Sequence, residues 1–145
     1  MAQKQPKKVL ITGANGFIGN QLMQYYKAQG IAAVGVDLCG NGDDIIQGDI
    51  AEPETISEQL KDCDVVVHTA ALVSNSIADA DMWRVNVQAT ANLVAAAEKY
   101  KVRRFVQISS IVAYGNSAEG ELDETQPVHA DGGSYVLTKL ASEHT

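Results

Sequence analysis

At 145 residues and 46% hydrophobic side chains, the chain is long enough for one domain with a real core. Its net charge of −7 argues against nucleic acid and against anionic membrane surfaces as partners. Cys39 and Cys63 stand in no metal-ligand spacing, the start MAQKQPKK holds no apolar signal core, and no apolar run is long enough to span a bilayer. A cytoplasmic protein without metal is the expectation.

Residues 1–7 are polar and read as a frayed end. Val9, Leu10 and Ile11 then form a short apolar run without polar alternation, as a strand buried on both faces would. Thr12 and Gly13 break it, Phe17-Ile18 and Leu22-Met23 recur at helical spacing, and Gly30 ends the helix. The glycines fall at 13, 16 and 19, a G-x-x-G-x-x-G variant of the dinucleotide-binding turn. Chemistry asks for glycine at each place. Gly13 allows the tight turn, Gly16 lets a pyrophosphate approach the backbone, and Gly19 lets the helix pack on the strand. The helix start supplies unpaired N–H groups and a positive dipole end for the phosphates. A glycine triplet alone fits any turn; between a buried strand and an amphipathic helix it points to a dinucleotide.

Ile31 to Asp37 reads as the second strand, and Asp37 lies 18 residues after Gly19, about where a carboxylate meets the adenosine ribose. A carboxylate there accepts from both ribose hydroxyls and repels a 2′-phosphate, which predicts NAD over NADP. Residues 39–44 (CGNGDD) form a turn cluster, Ile45 to Ile50 a third strand, and Glu52 to Leu60 a short helix with Pro53 in its first turn. Asp64 to His68 is a fourth buried strand. The small residues Thr69, Ala70 and Ala71 follow it and leave room for a ligand at the strand's carboxyl end. His68 has no acid or nucleophile near it in sequence and reads as a packing residue. Asp79 to Lys101 reads as the longest helix, with Val85, Leu93, Val94 and Ala97 as its apolar stripe and Asn86 and Asn92 interrupting it. Asn86 reads either as a surface amide or as one reaching the active-site helix or its water. Arg103 to Ser109 is strand five. Strands alternating with helices predict an α/β fold: a doubly wound parallel sheet of the Rossmann kind, in three αβα layers.

The candidate chemistry follows strand five. Ser109-Ser110 lie at its carboxyl end, and Tyr114-Gly115 stand in the next loop. A helix over residues 134–144 would place Tyr135 and Lys139 one turn apart on one face. An ammonium beside a phenol favours the phenolate, and such a tyrosine can pass a proton to or from a hydroxyl while hydride moves to nicotinamide. Ser110 can hydrogen-bond the same oxygen, and Lys139 can also hold the nicotinamide ribose. This makes Ser110, Tyr135 and Lys139 the candidate catalytic set.

Gly13-Ala14-Asn15-Gly16-Phe17-Ile18-Gly19, Asp37, Gly48-Asp49-Ile50, His68-Thr69-Ala70-Ala71, Asn86-Val87, Ser109-Ser110, Tyr114-Gly115, and Tyr135 with Lys139 occur in one order over nearly the whole chain. In this the sequence resembles the extended short-chain dehydrogenase/reductase family, the NAD-dependent epimerase/dehydratase group. The resemblance implies NAD as cofactor, held by the glycine turn with Asn15, Phe17 and Ile18, by Asp37, by Asp49 and Ile50 flanking the adenine, and by Thr69, Ala70 and Ala71. It counts Asn86, Tyr135 and Lys139 among the cofactor-site residues too, and implies no metal. One departure is Gln88-Ala89-Thr90, where the family has x-Gly-Thr.

The implied reaction is NAD-dependent oxidoreduction at a hydroxyl-bearing carbon of a small molecule, by preference a nucleotide sugar, with neither nucleic acid nor membrane as partner. A hydroxysteroid- or dihydroflavonol-type dehydrogenase is the alternative, and a non-catalytic NAD-binding fragment is the reading from another class. Family members continue past the tyrosine helix into a substrate domain. Residues 1–145 are therefore expected to form an incomplete NAD-binding Rossmann domain, truncated after the fifth strand and with little or no turnover. Strand five then becomes an exposed edge, the helix of Tyr135 is short and poorly anchored, and the nicotinamide pocket lacks a wall. An unpaired edge leaves a homodimer open.

Overall fold

Val9, Leu10 and Ile11 are fully buried, as an apolar run requires, and form the middle of strand β1 (Lys8–Thr12). The structure is a computed structural model and describes residues 5–41, 43–73, 78–115, 120–129 and 132–145. The reading of a frayed start falls, for residues 1–4, outside these, as does Gly42 of the turn cluster. Strands β2 (Ala32–Asp37) and β4 (Val65–His68) flank β1 in parallel. Strands β3 (Ile45–Gln47) and β5 (Arg104–Gln107) extend the two sides, giving the order β3-β2-β1-β4-β5. The chain winds outward one way from β1 through β3 and then the other way through β4 and β5. The crevice where the direction reverses lies at the carboxyl ends of β1 and β4.

Alternate strand residues face opposite layers. Leu10, Val36 and Val66 join Ile56, Leu60, Leu93 and Ala97 in one apolar cluster, while Val9, Ile11, Val65 and Val67 join Met23 in the other. Helix α1 (Phe17–Ala28) supplies Met23 to one face. A 3₁₀ turn over Pro53–Ile56, helix α2 (Ser57–Leu60) and helix α4 (Ala89–Lys99) cover the other. The three-layer αβα expectation is met. Edges differ by a few residues: the third strand stops at Gln47, and the segment from Glu52 tightens into the 3₁₀ turn before it becomes α-helical.

The expected long helix is three pieces: α3 (Asp79–Trp83), a π-helical turn over Arg84–Gln88, and α4. Met82, Asn86, Ala89, Thr90, Leu93 and Ala97 make its buried stripe, so Asn86 belongs to the stripe that it was expected to interrupt. A single π-turn inside a helix commonly marks a functional position. Helix α5 (Ser134–Ser142) is short, as expected, but well anchored. It buries Thr138, Lys139 and Ser142, and Gln107 Nε2 donates to Ser142 Oγ at 2.7 Å. Strand β5 forms one edge of the sheet, its residues alternately exposed and half-buried. Among the described residues no helix is long and apolar enough to cross a membrane, and no group of three His, Cys, Asp or Glu side chains could hold a metal ion.

Candidate functional site

A cleft of about 640 Å³ opens at the switch point, within the range of ligand pockets. Its walls come from the turn after β1 (Gly13, Asn15, Gly16), the start of α1 (Phe17, Ile18), the end of β2 (Asp37, Leu38), the loop after β3 (Asp49, Ile50), and the loop after β4 (Thr69, Ala70, Ala71, Leu72). Arg84 and Val85 of the π-turn close it. Most residues expected to hold the cofactor therefore share one cavity.

The turn is built as its glycines demand. Gly13 sits at φ +67°, and a Cβ there would lie 2.8 Å from the Ala70 nitrogen. At Gly19 a Cβ would stand 2.2 Å from the Gly13 carbonyl oxygen, so α1 approaches β1 only without a side chain. Gly19 supports the turn rather than lining the cleft. Gly16 caps α1 in an extended conformation, and neither a side-chain cap nor an acidic residue occupies its first turn. The first N–H groups of α1 thus start the helix without a side-chain acceptor, beside the cleft.

Asp37 lies on the same wall. Its Oδ2 accepts from the Asn15 amide at 3.0 Å, while Asn15 Nδ2 donates to the Cys39 carbonyl at 2.6 Å. A carboxylate has about four acceptor positions, so Asp37 keeps room for further donors. Asp49 Oδ1 accepts from its own turn, at the Ala51 amide, 2.9 Å. These observations fit a dinucleotide: N–H groups for phosphates, a carboxylate for ribose, and glycines where a Cβ would close the turn.

Ser110, Tyr135 and Lys139 are not on the cleft's walls. Ser110 caps a 3₁₀ turn over Ile111–Tyr114, its Oγ accepting from the Val112 amide at 3.4 Å. Lys139 is buried and donates to the Ile108 carbonyl at 2.6 Å. Burial lowers its proton affinity, and Glu143 on the next turn opposes that. Tyr135 is half-buried, one turn before Lys139 on α5. The catalytic candidates thus cluster at the carboxyl end of β5 and on α5.

Asn86 joins the two groups. Its Oδ1 accepts from the Leu72 amide at 2.8 Å, and its Nδ2 donates to the Leu72 carbonyl at 3.0 Å and to Thr138 Oγ1 at 3.1 Å. Of the two readings of Asn86, the amide reaching the tyrosine helix matches this geometry. Its side chain engages the loop and α5, and it is not on the cleft wall. His68 is buried, as a packing residue would be, yet it is also hydrogen-bonded. Its Nδ1 lies 2.6 Å from Thr12 Oγ1 and its Nε2 lies 3.0 Å from Thr90 Oγ1. Burial, with the Lys139 charge acting in the same direction, holds its pKa down to about 4. Sequence reasoning missed Thr12, Thr90, Thr138, Leu72 and Arg84. The one available signal was spacing, since Thr90 follows Asn86 by one turn and Thr138 lies between Tyr135 and Lys139.

Known proteins resemble this chain in sequence and in fold. A ketoreductase of Stigmatella aurantiaca, acting on a 4-hydroxy-2-methyl-3-oxo-4-farnesyl-3,4-dihydroquinoline-1-oxide, is 30% identical over 147 residues, 94% of this chain and 44% of its own. A UDP-glucose 4-epimerase of Vibrio cholerae is 34% identical over 97% of this chain and 46% of its own. The solved structure of MoeE5 in complex with UDP-glucose and NAD superposes with a TM-score of 0.86 at 33% identity, over 94% of this chain and 47% of that one. The chain spans under half the length of the curated relatives it matches here. Residues 9–145 match the model of the NAD dependent epimerase/dehydratase family, and the chain belongs to that family.

Proposed function

We propose that residues 1–145 are the NAD-binding Rossmann domain of a cytoplasmic NAD-dependent oxidoreductase of the epimerase/dehydratase type, acting at a hydroxyl-bearing carbon of a nucleotide sugar. The observation that carries this reading is the uncapped start of α1 opening, together with Asp37, onto one cleft. The N–H groups of the first turn and the positive end of α1 hold the diphosphate, which Gly13 and Gly16 let come close. Asp37 takes the adenosine ribose hydroxyls and disfavours a 2′-phosphate. Asp49 and Ile50 flank the adenine, and Thr69, Ala70 and Ala71 line the cavity beyond.

Bound NAD supplies a hydride acceptor, and in an epimerase or dehydratase the hydride is returned within the cycle. This chain's residues handle the proton and the orientation. The Tyr135 oxygen takes the hydroxyl proton of the reacting carbon. Ser110 accepts from Val112 through its oxygen, and its own hydrogen, which meets no acceptor among the described residues, donates to the same substrate oxygen. Lys139 holds one N–H on the Ile108 carbonyl and keeps two more for the nicotinamide ribose and the phenol. The nucleotide-sugar class is supported by the Vibrio epimerase and by MoeE5, whose structure holds UDP-glucose. A reductase in which hydride is not returned is the second reading, and the Stigmatella ketoreductase supports it.

Calorimetric titration with NAD and NADP tests the cofactor, and the absorbance of reduced nicotinamide in the presence of UDP-glucose tests the chemistry. Saturable NAD binding, weaker NADP binding and little or no turnover by this chain alone are expected. Absence of NAD binding overturns the reading. In a longer protein carrying this domain, steady accumulation of reduced cofactor would select the reductase over the epimerase.

A further inference from the structure

His68 sits where β1 and β4 end, opposite Thr12 in the sheet. The hydrogen bonds around it run in one direction, and the chemistry of each group fixes that direction. The Asn86 carbonyl can only accept, so Thr90 Oγ1, 2.8 Å away, donates its single hydrogen there. Thr90 Oγ1 can then only accept from His68 Nε2 at 3.0 Å, which places the imidazole proton on Nε2. His68 Nδ1 is left bare and accepts from Thr12 Oγ1 at 2.6 Å. Thr12 Oγ1 in turn accepts from the Ala70 amide at 3.4 Å. The chain of bonds begins at Ala70 on the cleft wall and ends at the backbone of Asn86 in the π-turn. From there the Asn86 amide clamps Leu72 through both of its backbone groups and reaches Thr138, whose hydroxyl donates to the Tyr135 carbonyl at 3.0 Å.

We propose that His68 is a positioning residue: as a neutral imidazole protonated on Nε2, it completes a one-way relay from Ala70 to Asn86 that sets the loop Ala70–Leu72 and the helix of Tyr135 in one fixed arrangement. Its use, holding a cofactor and a phenol at a constant separation, rests on the function proposed above. Among the described residues, four elements face the ring: β1 through Thr12, α4 through Thr90, β5 through Phe105 with ring centres 5.9 Å apart, and α5 through the Lys139 charge. None of them offers an anion to an imidazolium. An imidazolium would donate from Nδ1 and so turn Thr12 from donor to acceptor, breaking the relay's direction.

The test uses the full chain labelled with ¹⁵N on histidine. Nuclear magnetic resonance is expected to show His68 with Nε2 protonated and Nδ1 bare; the opposite tautomer, or a mixture of the two, overturns the relay. Thr90→Val keeps the shape and removes the hydroxyl, whereas Thr90→Ser keeps the hydroxyl. Exchange of the Asn86 side-chain amide and the Leu72 amide with solvent is expected to quicken about tenfold in the valine variant and to stay as in the original chain in the serine variant. The NAD dissociation constant is expected to rise about tenfold with valine only. A lowered melting temperature with unchanged amide exchange and NAD affinity would reduce His68 to packing and overturn the proposal. If the original chain binds no NAD, the function falls while tautomer and exchange still decide the relay, and if the valine variant does not fold, the tautomer decides it.

Discussion

The turn after β1 and the helix α5 carry the two halves of the proposed chemistry, and they are built from different materials. The turn is backbone: N–H groups at a helix start, and glycines where a Cβ would strike main-chain atoms 2.2 to 2.8 Å away. Helix α5 is held by side chains, through Asn86 to Thr138, Lys139 to Ile108 and Gln107 to Ser142. A backbone site tolerates no intruding side chain but needs no partner, whereas a side-chain site depends on residues far away in sequence. The comparison is broken most severely at Gly19. Gly19→Ala drives a methyl into the Gly13 carbonyl with no flexible neighbour to yield. It is expected to weaken NAD at least a hundredfold, on the order of 3 kcal/mol or more, and to lower the melting temperature, both readable by calorimetry.

The side-chain half breaks through protons instead. An unfolded chain protonates His68 at its ordinary value of 6.5, and the folded chain only near 4. Between those values the unfolded state binds more protons, so stability present above 6.5 is lost as pH falls toward 4. The loss assigned to His68 is about 3 kcal/mol across that window. Urea unfolding at pH 7 and at pH 4, for the original chain and for His68→Gln, isolates it, because the glutamine variant should lose that much less on acidification. Equal losses would mean that the imidazole is not held neutral.

Asp37 belongs to both halves, being a side chain in a backbone site. Asp37→Ala is expected to weaken NAD about tenfold and NADP less, since the lost carboxylate serves ribose hydroxyls but opposes a 2′-phosphate. Equal losses for the two would confine Asp37 to bracing the Asn15 amide.

These materials also explain what could be read in advance. A turn that excludes Cβ atoms writes its demand into the sequence as glycine, so 13 and 19 were visible, as were the strands whose unbroken apolar runs leave no choice of environment. Asp37 was legible because a strand end fixes its place. The relay was not. Thr12, Thr90 and Thr138 are ordinary residues whose importance comes from three separate elements meeting, and threonine in a strand or helix carries no mark of its partner. The break in the long helix was equally hidden. A π-turn leaves the apolar spacing almost intact, and only the burial of Asn86 on that stripe betrays it.

The mildest test separates the glycines of the cleft from glycine in general. Gly30 ends α1 at φ +69° with nothing within 4 Å of where a Cβ would be. Its amide donates to the Lys27 carbonyl at 3.0 Å, and the Ile31 amide to the Tyr26 carbonyl at 3.0 Å, the paired bonds of a left-handed helix stop. Tyr26 and Ile31 each pack against the α1-side core. Gly30→Ala therefore meets no clash and bears only the strain of a left-handed alanine, about 1 kcal/mol, with Gly30→Asn costing less. Urea unfolding should show that order, and NAD affinity should not move in either variant. A weakened affinity would mean that the far end of α1 is coupled to the cleft, and that the backbone site is set by the whole helix rather than by its first turn.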